Sequence, residues 1–594
     1  MKNIQLSVRN IVILFKILGK EQLFGLMLRT LSTVIKIVLP LLLIYFQKRL
    51  IQLIQIETTS EKILMFSVVS ISCVLLAKKI LEIIFGFINS VLNNKLSCKL
   101  EYTLHKKCVN AQLRAYDNHE IYDKMTIANR IGTSTITNYI FAFFDIAGEI
   151  MQFLSSAIIL CTFSVWLLAA ALIGAIPGIF VRIFGNKYEE FDKKRTSIVR
   201  RMNYFKNIAA KGEYTKETKL FGIIPFVCGE HKRYYDAWAK SELAYRDEDN
   251  RRRIIWQSAT SLLIMVLPSL YLIWRASLNE IDVADFSYYL SLLTLCHGNL
   301  TAIINNLFDN ELADSRIKDY FEFLNMPIDS RKGEDIPSEW LKEIPRIEFQ
   351  NVSFRYSGSE TNALDNVSFV IEAHEKVAIV GLNGAGKTTL IKLLCGLYEV
   401  SEGKILIGGR NIMEFSQVSV YRLFSVVFQD FLNYEMPFIE SLSLGGEEKV
   451  TAEAVYEAFA HVDGRNIVEK RFLGDLNRSV GKIIDKDGVE LSGGEHQKVA
   501  LARSILQNRP MIILDEPTSN LDAYAETAIL KNFLSHIYQK SVVIVSHRLS
   551  AVHFVDKIIV MENAHIIEQG THSELMKRNG KYASMYELQA NQYQ

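Results

Sequence analysis

The segment Gly381–Thr388 constrains this sequence most, because it matches the phosphate-binding pattern G-x-x-x-x-G-K-[ST] at every fixed position. The apolar run Lys376–Val380 before it predicts a short buried strand, and Thr389–Leu394 after it predicts an amphipathic helix. A strand that leads through a glycine-rich turn into a helix directs backbone N–H groups and the positive end of the helix dipole toward one point. We therefore expect a polyphosphate site here, with Lys387 on the β- and γ-phosphates and Thr388 on Mg²⁺.

Apolar stretches in the first half of the 594-residue chain are long enough to span a bilayer, which needs about 20 residues. The segments between the second and third spans and between the fourth and fifth are long and rich in Lys and Arg. The positive-inside rule therefore places them, and both termini, in the cytosol. Six spans are predicted, at Leu23–Phe46, Ile63–Leu92, Tyr139–Phe163, Val165–Phe184, Ile254–Trp274 and Phe286–Phe308.

The segments around these spans also carry structural signals. Ile4–Lys20 predicts an amphipathic helix on the inner membrane face rather than a signal peptide, because no small-residue cleavage site follows it. The two long cytosolic segments keep helical periodicity and contain few Gly or Pro residues. They predict continuations of the spanning helices that reach a cytosolic domain.

The sixth span has a polar face, since Asn299, Ala302, Asn306 and Asp309 follow helical spacing. Polar side chains at membrane depth often line a wet pathway, and Asn299 and Asn306 are our candidates for such a wall. For each Asn, a hydrogen bond to a neighbouring helix is the alternative.

Overall charge and cysteine usage argue against a nucleic-acid-binding protein, a disulfide-rich protein and a zinc protein. The formal net charge of +2 gives no reason to expect a nucleic-acid partner. The seven cysteines are scattered without a C-x-x-C pair, which is typical of a reducing cytosol and indicates neither a disulfide framework nor a zinc site.

The second half of the chain has ordinary soluble α/β composition. Short strands are predicted at Arg346–Phe349, Ser353–Tyr356 and Val367–Ile371 before the phosphate loop. Further on, Met511–Glu516 is an apolar strand that ends in two acids. We expect this strand beside the phosphate loop in a parallel sheet, with Asp515 near Mg²⁺ and Glu516 polarising the attacking water.

A second glycine-rich element, Leu491–Glu495, precedes a predicted helix at Gln497–Leu506. It has no obvious role in a monomer that already contains a phosphate loop. Its presence is explained if it contacts the nucleotide that is bound by a second copy of the chain.

With these motifs, the chain resembles the half-transporters of ABC exporters, in which a six-span membrane domain is fused to an ATP-binding cassette. The resemblance covers essentially the whole chain. The family motifs occur in order as Tyr356 (adenine-stacking aromatic), Gly381–Thr388 (Walker A), Gln429 (Q-loop), Leu491–Glu495 (signature), Ile512–Glu516 (Walker B), Ser519–Asp522 (D-loop) and His547 (switch histidine).

The resemblance implies a polytopic α-helical membrane domain fused to an α/β P-loop NTPase cassette, with ATP and Mg²⁺ as ligands. It implies that the chain has four parts: an interfacial helix at 1–22, the membrane domain at 23–325, a linker at 326–344 and the cassette at 345–594. It also implies coupling helices at Tyr116–Asp123 and Lys216–Gly222 in the cytosolic segments. The implied ATP ligands are Tyr356, Gly381, Asn383, Gly384, Ala385, Gly386, Lys387, Thr388 and Thr389.

The same resemblance implies a mechanism in which two cassettes close head to tail over two ATP molecules. Glu516, His547 and Gln429 are the implied catalytic residues, and Thr388, Gln429 and Asp515 the implied Mg²⁺ ligands. Asp522 is the implied D-loop residue. Residues implied to reach the nucleotide of the partner copy are Ser492, Gly493, Gly494 and Glu495.

The signature region departs from the commonest family pattern, because it ends in Glu495 where Gln is more usual. The preceding segment, Ile484–Glu490, resembles that of bacterial peptide and lantibiotic exporters more than that of multidrug exporters. We expect export of a peptide or an amphipathic small molecule across the bacterial cytoplasmic membrane, by a homodimer surrounded by membrane lipids. One half of a heterodimeric multidrug or lipid exporter is the first alternative, and an ATP-gated channel or regulatory subunit is the second.

Overall fold

The computed structural model describes residues 20–55, 61–130, 133–185, 187–446, 449–517, 523–537, 539–549 and 552–592. Two predictions fall outside these residues: the amphipathic helix at Ile4–Lys20, apart from its last residue, and the D-loop with Asp522. The described residues divide into two compact units. The first contains residues up to 106 together with 126–325, and the second contains 107–125 together with the residues from 326 onward.

The N-terminal half is helical, and a π-helical turn at Leu262–Val266 joins its ninth and tenth helices. The helices are α1 (Lys20–Gln55), α2 (Glu61–Val109), α3 (Leu113–Asp117), α4 (His119–Arg130), α5 (Thr133–Phe163), α6 (Val165–Gly185), α7 (Lys187–Ala210), α8 (Gly212–Leu220), α9 (Ile224–Ser261), α10 (Leu267–Ser277) and α11 (Val283–Leu324).

Five of the six predicted spans each lie within one of these helices, and the fifth in sequence runs from α9 through the π-helical turn into α10. Among the described residues, five helical stretches are long and apolar enough to cross a membrane: Met27–Gln55, Glu61–Val109, Thr135–Phe163, Val165–Ile183 and Ile224–Ser277. The sixth predicted span lies in α11, which has 42 residues and is long enough. Its Ser, Thr, His and Asn side chains make it less apolar than the other five.

The spanning helices also continue beyond the predicted spans. Helix α2 runs for 49 residues and α9 for 38 residues, so long helices occupy the segments predicted to be cytosolic. Within the first unit, α11 packs against α5, α6 and α1. Leu160, Ala171 and Leu293 are completely buried at these contacts.

The second unit contains two sheets and the helices that cover them. Its strands are β1 (Ile347–Phe354), β2 (Leu364–Ile371), β3 (Lys376–Gly381), β4 (Glu402–Ile407), β5 (Arg410–Asn411), β6 (Phe424–Val427), β7 (Met511–Asp515), β8 (Ser541–Val545), β9 (Lys557–Glu562) and β10 (His565–Gly570). Its helices are α12 (Lys387–Leu394), α13 (Gln417–Tyr421), α14 (Phe438–Ser443), α15 (Ala452–His461), α16 (Gly493–Leu506), α17 (Ala523–His536), α18 (His572–Arg578) and α19 (Lys581–Gln592).

The first strand corrects the sequence prediction. Two short strands were expected at Arg346–Phe349 and Ser353–Tyr356, but β1 is one strand that pairs antiparallel with both β2 and β4. Asn351 lies in its middle with φ of 48°, and the register shifts there on both sides. An irregularity of this kind interrupts the alternation of side chains without ending the strand.

The larger sheet has the strand order β10-β9-β3-β8-β7-β6, and all its pairs except β9–β10 are parallel. The strand that ends in Asp515 is therefore parallel to β3, as expected, but it is not adjacent to it. Strand β8 pairs with both and separates them. Because parallel strands end at one edge, the phosphate loop, Asp515 and the segment after β8 still follow neighbouring carboxyl ends.

Candidate nucleotide site

The phosphate loop follows β3 and ends where α12 begins at Lys387. Gly386 has φ of 99°, and a Cβ there would lie 2.6 Å from the carbonyl oxygen of Ala363. Only glycine avoids both the left-handed strain and this clash. The loop therefore brings its backbone N–H groups together at the start of α12.

Lys387 lies folded over the loop that it follows. Its Nζ donates to the carbonyl oxygens of Gly381 at 2.8 Å and Leu382 at 3.0 Å, and its side chain is buried. Burial lowers the pKa of this ammonium group, and the nearby carboxylates of Glu516 and Asp515 oppose that shift. The lysine places one positive charge where a polyphosphate would bind.

Asp515, at the end of β7, is completely buried. Neither of its carboxylate oxygens has a hydrogen-bond partner among the described residues. Burial, with a contribution from Glu516, raises the pKa of Asp515 to about 6. A carboxylate buried to this extent is costly, and a bound cation would stabilise it.

These oxygen donors fit Mg²⁺, a hard cation that binds through one or two protein ligands together with substrate phosphates. The hydroxyl of Thr388 lies beside Asp515, and Gln429 lines the same pocket as Thr388. Among the described residues there is no cluster of three His, Cys, Asp or Glu side chains able to hold a metal ion by itself. A metal here would depend on the phosphates for its remaining ligands.

Glu516 contacts two other predicted catalytic residues. Its Oε2 accepts a hydrogen bond from Gln429 Nε2 at 3.0 Å, and its Oε1 contacts His547 Nε2. Its backbone has φ of 50°, and its N–H donates to Val545 O at 3.0 Å. A non-glycine residue in this region is strained, and such strain concentrates at functional sites.

His547 follows β8, and its imidazole faces Glu516. Burial and the charge of Lys387 lower the pKa of His547, while Glu516 raises it. The net shift is downward, so the ring is neutral at pH 7 in this arrangement.

The sequence interpretation missed Gln589, which lies in α19. Its Nε2 donates to His547 O at 2.5 Å, and its Oε1 accepts from the backbone N–H of Leu549 at 2.8 Å. The amide thus binds the backbone on both sides of Arg548. No sequence signal identifies it, because one glutamine in a C-terminal helix has no motif around it.

An open pocket of about 470 Å³ lies at this edge of the sheet. It brings together most of the predicted Walker A residues with Gln429, Glu516 and His547. Its lining residues are Ala363, Asn383, Gly384, Ala385, Gly386, Lys387, Thr388, Thr389, Gln429, Glu516 and His547.

Tyr356 is not among the lining residues, but its hydroxyl group contacts one of them, Thr389 Oγ1, at 3.1 Å. Its ring meets the ring of Tyr398 edge to face, with centroids 5.5 Å apart. Tyr398 in turn donates its hydroxyl proton to Asp117 at 2.5 Å. A hydroxyl and aromatic chain thus connects the phosphate-loop helix with α3, which overlaps the first predicted coupling helix.

The signature residues form the N-terminal cap of α16. The Ser492 hydroxyl accepts from Glu495 N, and Glu495 accepts in return from Ser492 N. Arg471 binds the Glu495 carboxylate with two hydrogen bonds of 2.8 and 2.9 Å and lowers its pKa to about 2. Gly493 and Gly494 form the first turn of α16, and this helix starts four residues before the expected Gln497.

In the membrane unit, the predicted pathway residues both lie on α11. Asn306 Nδ2 donates to both carboxylate oxygens of Glu149, each at 3.0 Å. Asn299 is buried, and its Nδ2 has no hydrogen-bond partner among the described residues.

Three comparisons with known proteins all find ABC transporters or proteins named for ATP-dependent transport. Residues 364–519 match the ABC transporter family model. Among curated relatives, a subtilin transport ATP-binding protein of Bacillus subtilis is 28% identical over 93% of this chain and 89% of its own length.

Two further relatives match over about half of their length. A lipid A-core flippase of Hahella chejuensis is 31% identical over 55% of each chain, and a putative multidrug export protein of Staphylococcus aureus is 36% identical over 45% of each.

A solved structure, a bacterial Atm1-family ABC exporter with ATP bound, aligns with a TM-score of 0.75 at 21% identity. The alignment covers 95% of this chain and 99% of that one. At this identity the alignment establishes the fold, a helical membrane domain followed by a P-loop cassette. Together with the family match and the relatives, it confirms the fold class inferred from the sequence. The chain therefore has the fold of an ABC exporter, its cassette matches the ABC transporter family, and its relatives are named for transport or export that depends on ATP.

Proposed function

We propose that this chain exports a peptide or an amphipathic small molecule across the bacterial cytoplasmic membrane, as one half of a homodimer. The ATP-hydrolysis part of the proposal rests on one observation: Glu516 contacts both Gln429 and His547 at the pocket that contains Lys387. A nucleophile-activating carboxylate, a switch histidine and a phosphate-binding lysine at one pocket are the groups that phosphoryl transfer to water requires.

In the proposed reaction, Lys387 and the loop N–H groups bind the β- and γ-phosphates. Glu516 orients and polarises the attacking water, and His547 holds the γ-phosphate and keeps Glu516 in place. Thr388, Asp515 and Gln429 are the proposed Mg²⁺ ligands. Bound Mg²⁺ neutralises charge that develops on the phosphates. The unpartnered buried oxygens of Asp515 support its assignment.

The remaining nucleotide contacts need a second copy. We assign Tyr356 to adenine stacking, and Asp522 to the D-loop at the dimer interface. In the closed dimer the signature residues meet the γ-phosphate bound by the partner, with their first-turn N–H groups as donors. Because Glu495 is held by Arg471, its role there is to cap α16. The signature residues are Ser492, Gly493, Gly494 and Glu495.

Closing of the two cassettes would bias the membrane helices from an inward-open to an outward-open state. Asn299 and Asn306 are assigned to the pathway wall. Cytosolic cassettes and termini, contact with membrane lipids, and the ranges 1–22, 23–325, 326–344 and 345–594 belong to the same proposal. The similarity of Ile484–Glu490 to peptide exporters and the relative named for subtilin transport support a peptide cargo.

The test is the ATPase rate of the chain purified alone and reconstituted in lipid vesicles, with its mass in detergent recorded. The Glu516→Gln variant, purified in the same way, is the inactive control. We expect a dimer whose rate of ATP hydrolysis depends on Mg²⁺ and falls to near background in the Glu516→Gln variant. Hydrolysis at the full rate in Glu516→Gln would refute the role of Glu516. A monomer, or a dimer without activity, would refute the homodimer and favour a heterodimer with a different half-transporter.

A further inference from the structure

Several charged side chains in the membrane unit have partners of opposite charge on another helix, and two such pairs serve as examples. Arg29 on α1 donates to Asp145 on α5 at 2.7 Å, and its guanidinium lies 4.2 Å from the Phe141 ring centroid. Arg182 on α6 forms an ion pair with Asp309 on α11 at 2.9 Å. Such pairs are expected, since an unpaired charge at membrane depth costs about 2.5–3.5 kcal/mol on insertion scales.

Glu149 differs from these residues. It lies one helical turn after Asp145, at the middle of the apolar helical stretch Thr135–Phe163, and it is half-buried. Its carboxylate oxygens accept hydrogen bonds from Asn306 alone, and no cationic nitrogen of the described residues forms an ion pair with it within 4.0 Å. Lys36 interacts with it only through space.

The amide of Asn306 orients this carboxylate but does not neutralise it. A neutral hydrogen bond offsets part of the desolvation of a charge, whereas an ion at membrane depth is stabilised chiefly by a counterion. The structure therefore contains a carboxylate that is held in place between α5 and α11 and forms no ion pair with a described residue.

A second polar group lies on the same face of α11. Asn299 precedes Asn306 by seven residues, which is two helical turns or about 10 Å. The residue is 9% exposed, and its Nδ2 is one of the buried donors without a partner in the described structure. A free amide donor calls for an acceptor such as a carbonyl oxygen.

We propose that Glu149, oriented by Asn306, binds a primary ammonium group of the exported molecule, and that Asn299 donates to a carbonyl oxygen of the same molecule. The inference rests on the proposed export function and specifies the cargo class within it. An ammonium group some 10 Å from an amide carbonyl is the pattern of a peptide with a free amine. The carboxylate gains an ion-pair partner that none of the described residues supplies.

The test measures binding of a labelled amphipathic peptide of alternating leucine and lysine to the full chain in lipid nanodiscs. The same peptide with all its amines acetylated is the uncharged probe. We expect the wild-type chain to prefer the charged form by about tenfold, and Glu149→Gln to lose that preference while still binding the acetylated form. Equal binding of both forms by the wild-type chain would overturn the proposal.

Two variants separate recognition from structure. Asp145→Asn removes a carboxylate one turn away that Arg29 already neutralises, so it should keep the preference for the charged peptide. Lys36→Met should keep or increase that preference, because it removes a competing cation. If Lys36→Met instead abolishes the preference as Glu149→Gln does, the preference depends on the structure of this region and not on recognition by Glu149, and the proposal fails.

A second measurement on the unaltered chain does not depend on whether a variant folds. A membrane-permeant carbodiimide joins a carboxylate to an amine within contact distance, with formation of an amide bond and transfer of the lost oxygen to the reagent as a urea. We expect mass mapping to find the lysine peptide on Glu149. Its absence from Glu149 would refute the site. Absent ATPase activity in the same preparation, with the peptide coupled to Glu149, would refute the proposed hydrolysis and leave the site standing.

Discussion

Gln589 provides the sharpest test of how this site works, because it does not line the nucleotide pocket and yet binds the backbone of the switch histidine. Its amide makes two neutral hydrogen bonds, to His547 O at 2.5 Å and from Leu549 N at 2.8 Å. A typical net contribution is about 1 kcal/mol for each such bond. Gln589→Ala therefore removes about 2 kcal/mol of positioning free energy from this loop.

If all of this free energy acts on the placement of His547, the hydrolysis rate falls by about 30-fold, since about 1.4 kcal/mol corresponds to a factor of ten. We expect kcat to fall between about threefold and 30-fold. The KM for ATP should change little, because Lys387 and the phosphate loop keep their contacts. The assay is steady-state ATP hydrolysis in lipid vesicles over a range of ATP concentrations.

Two comparisons make the result decisive. Gln589→Glu keeps the acceptor for Leu549 N but places a carboxylate oxygen against His547 O, so it should lower kcat at least as much as alanine. Leu588, the preceding residue on α19, is 68% exposed, so Leu588→Ala should leave kcat unchanged. Full kcat in Gln589→Ala would refute the reasoning, and an equal loss in Leu588→Ala would indicate a general effect on α19.

Three further predictions concern other parts of the cassette. Lys387→Ala should weaken ATP binding by more than about tenfold in a fluorescent-nucleotide titration, because a buried charge that faces the phosphates is lost; unchanged affinity would exclude Lys387 from the site. Asp515→Asn should make nucleotide affinity insensitive to Mg²⁺, measured with and without EDTA, whereas a variant that still responds would place the metal elsewhere. Tyr398→Phe removes the hydroxyl group that binds Asp117 and should lower the free energy of unfolding by about 1.5 kcal/mol, seen as a lower Tm; an unchanged Tm would show that this contact contributes nothing.

The local parts of the site were predictable from the residues. The strand, turn and helix around Gly381–Thr388 follow from short-range signals: an apolar run, glycines at positions that need positive φ, and an amphipathic repeat. The predicted spans lie inside helices of the structure for a similar reason, since a bilayer requires about 20 apolar residues in one helix. Even α11, which is more polar than the others, keeps enough periodicity to be identified.

Predictions failed where pairing or spacing over longer distances decides the outcome. Strand β1 continues through the irregularity at Asn351 because β2 and β4 pair with it on both sides. Strand β8 lies between β3 and β7, although it comes last of the three in the chain. Sequence order does not determine strand order in a parallel sheet, since crossover connections allow several arrangements.

The sequence by itself determined the fold class and predicted most of the residues that line one pocket of the cassette, because each motif is encoded within a few neighbouring positions. Only the tertiary structure decided that Gln589 binds the loop around His547, that Tyr398 reaches Asp117, and that Glu149 meets Asn306. These partners are 42, 281 and 157 residues apart along the chain. Their contacts depend on how whole helices and sheets pack, and local propensity carries no information about that packing.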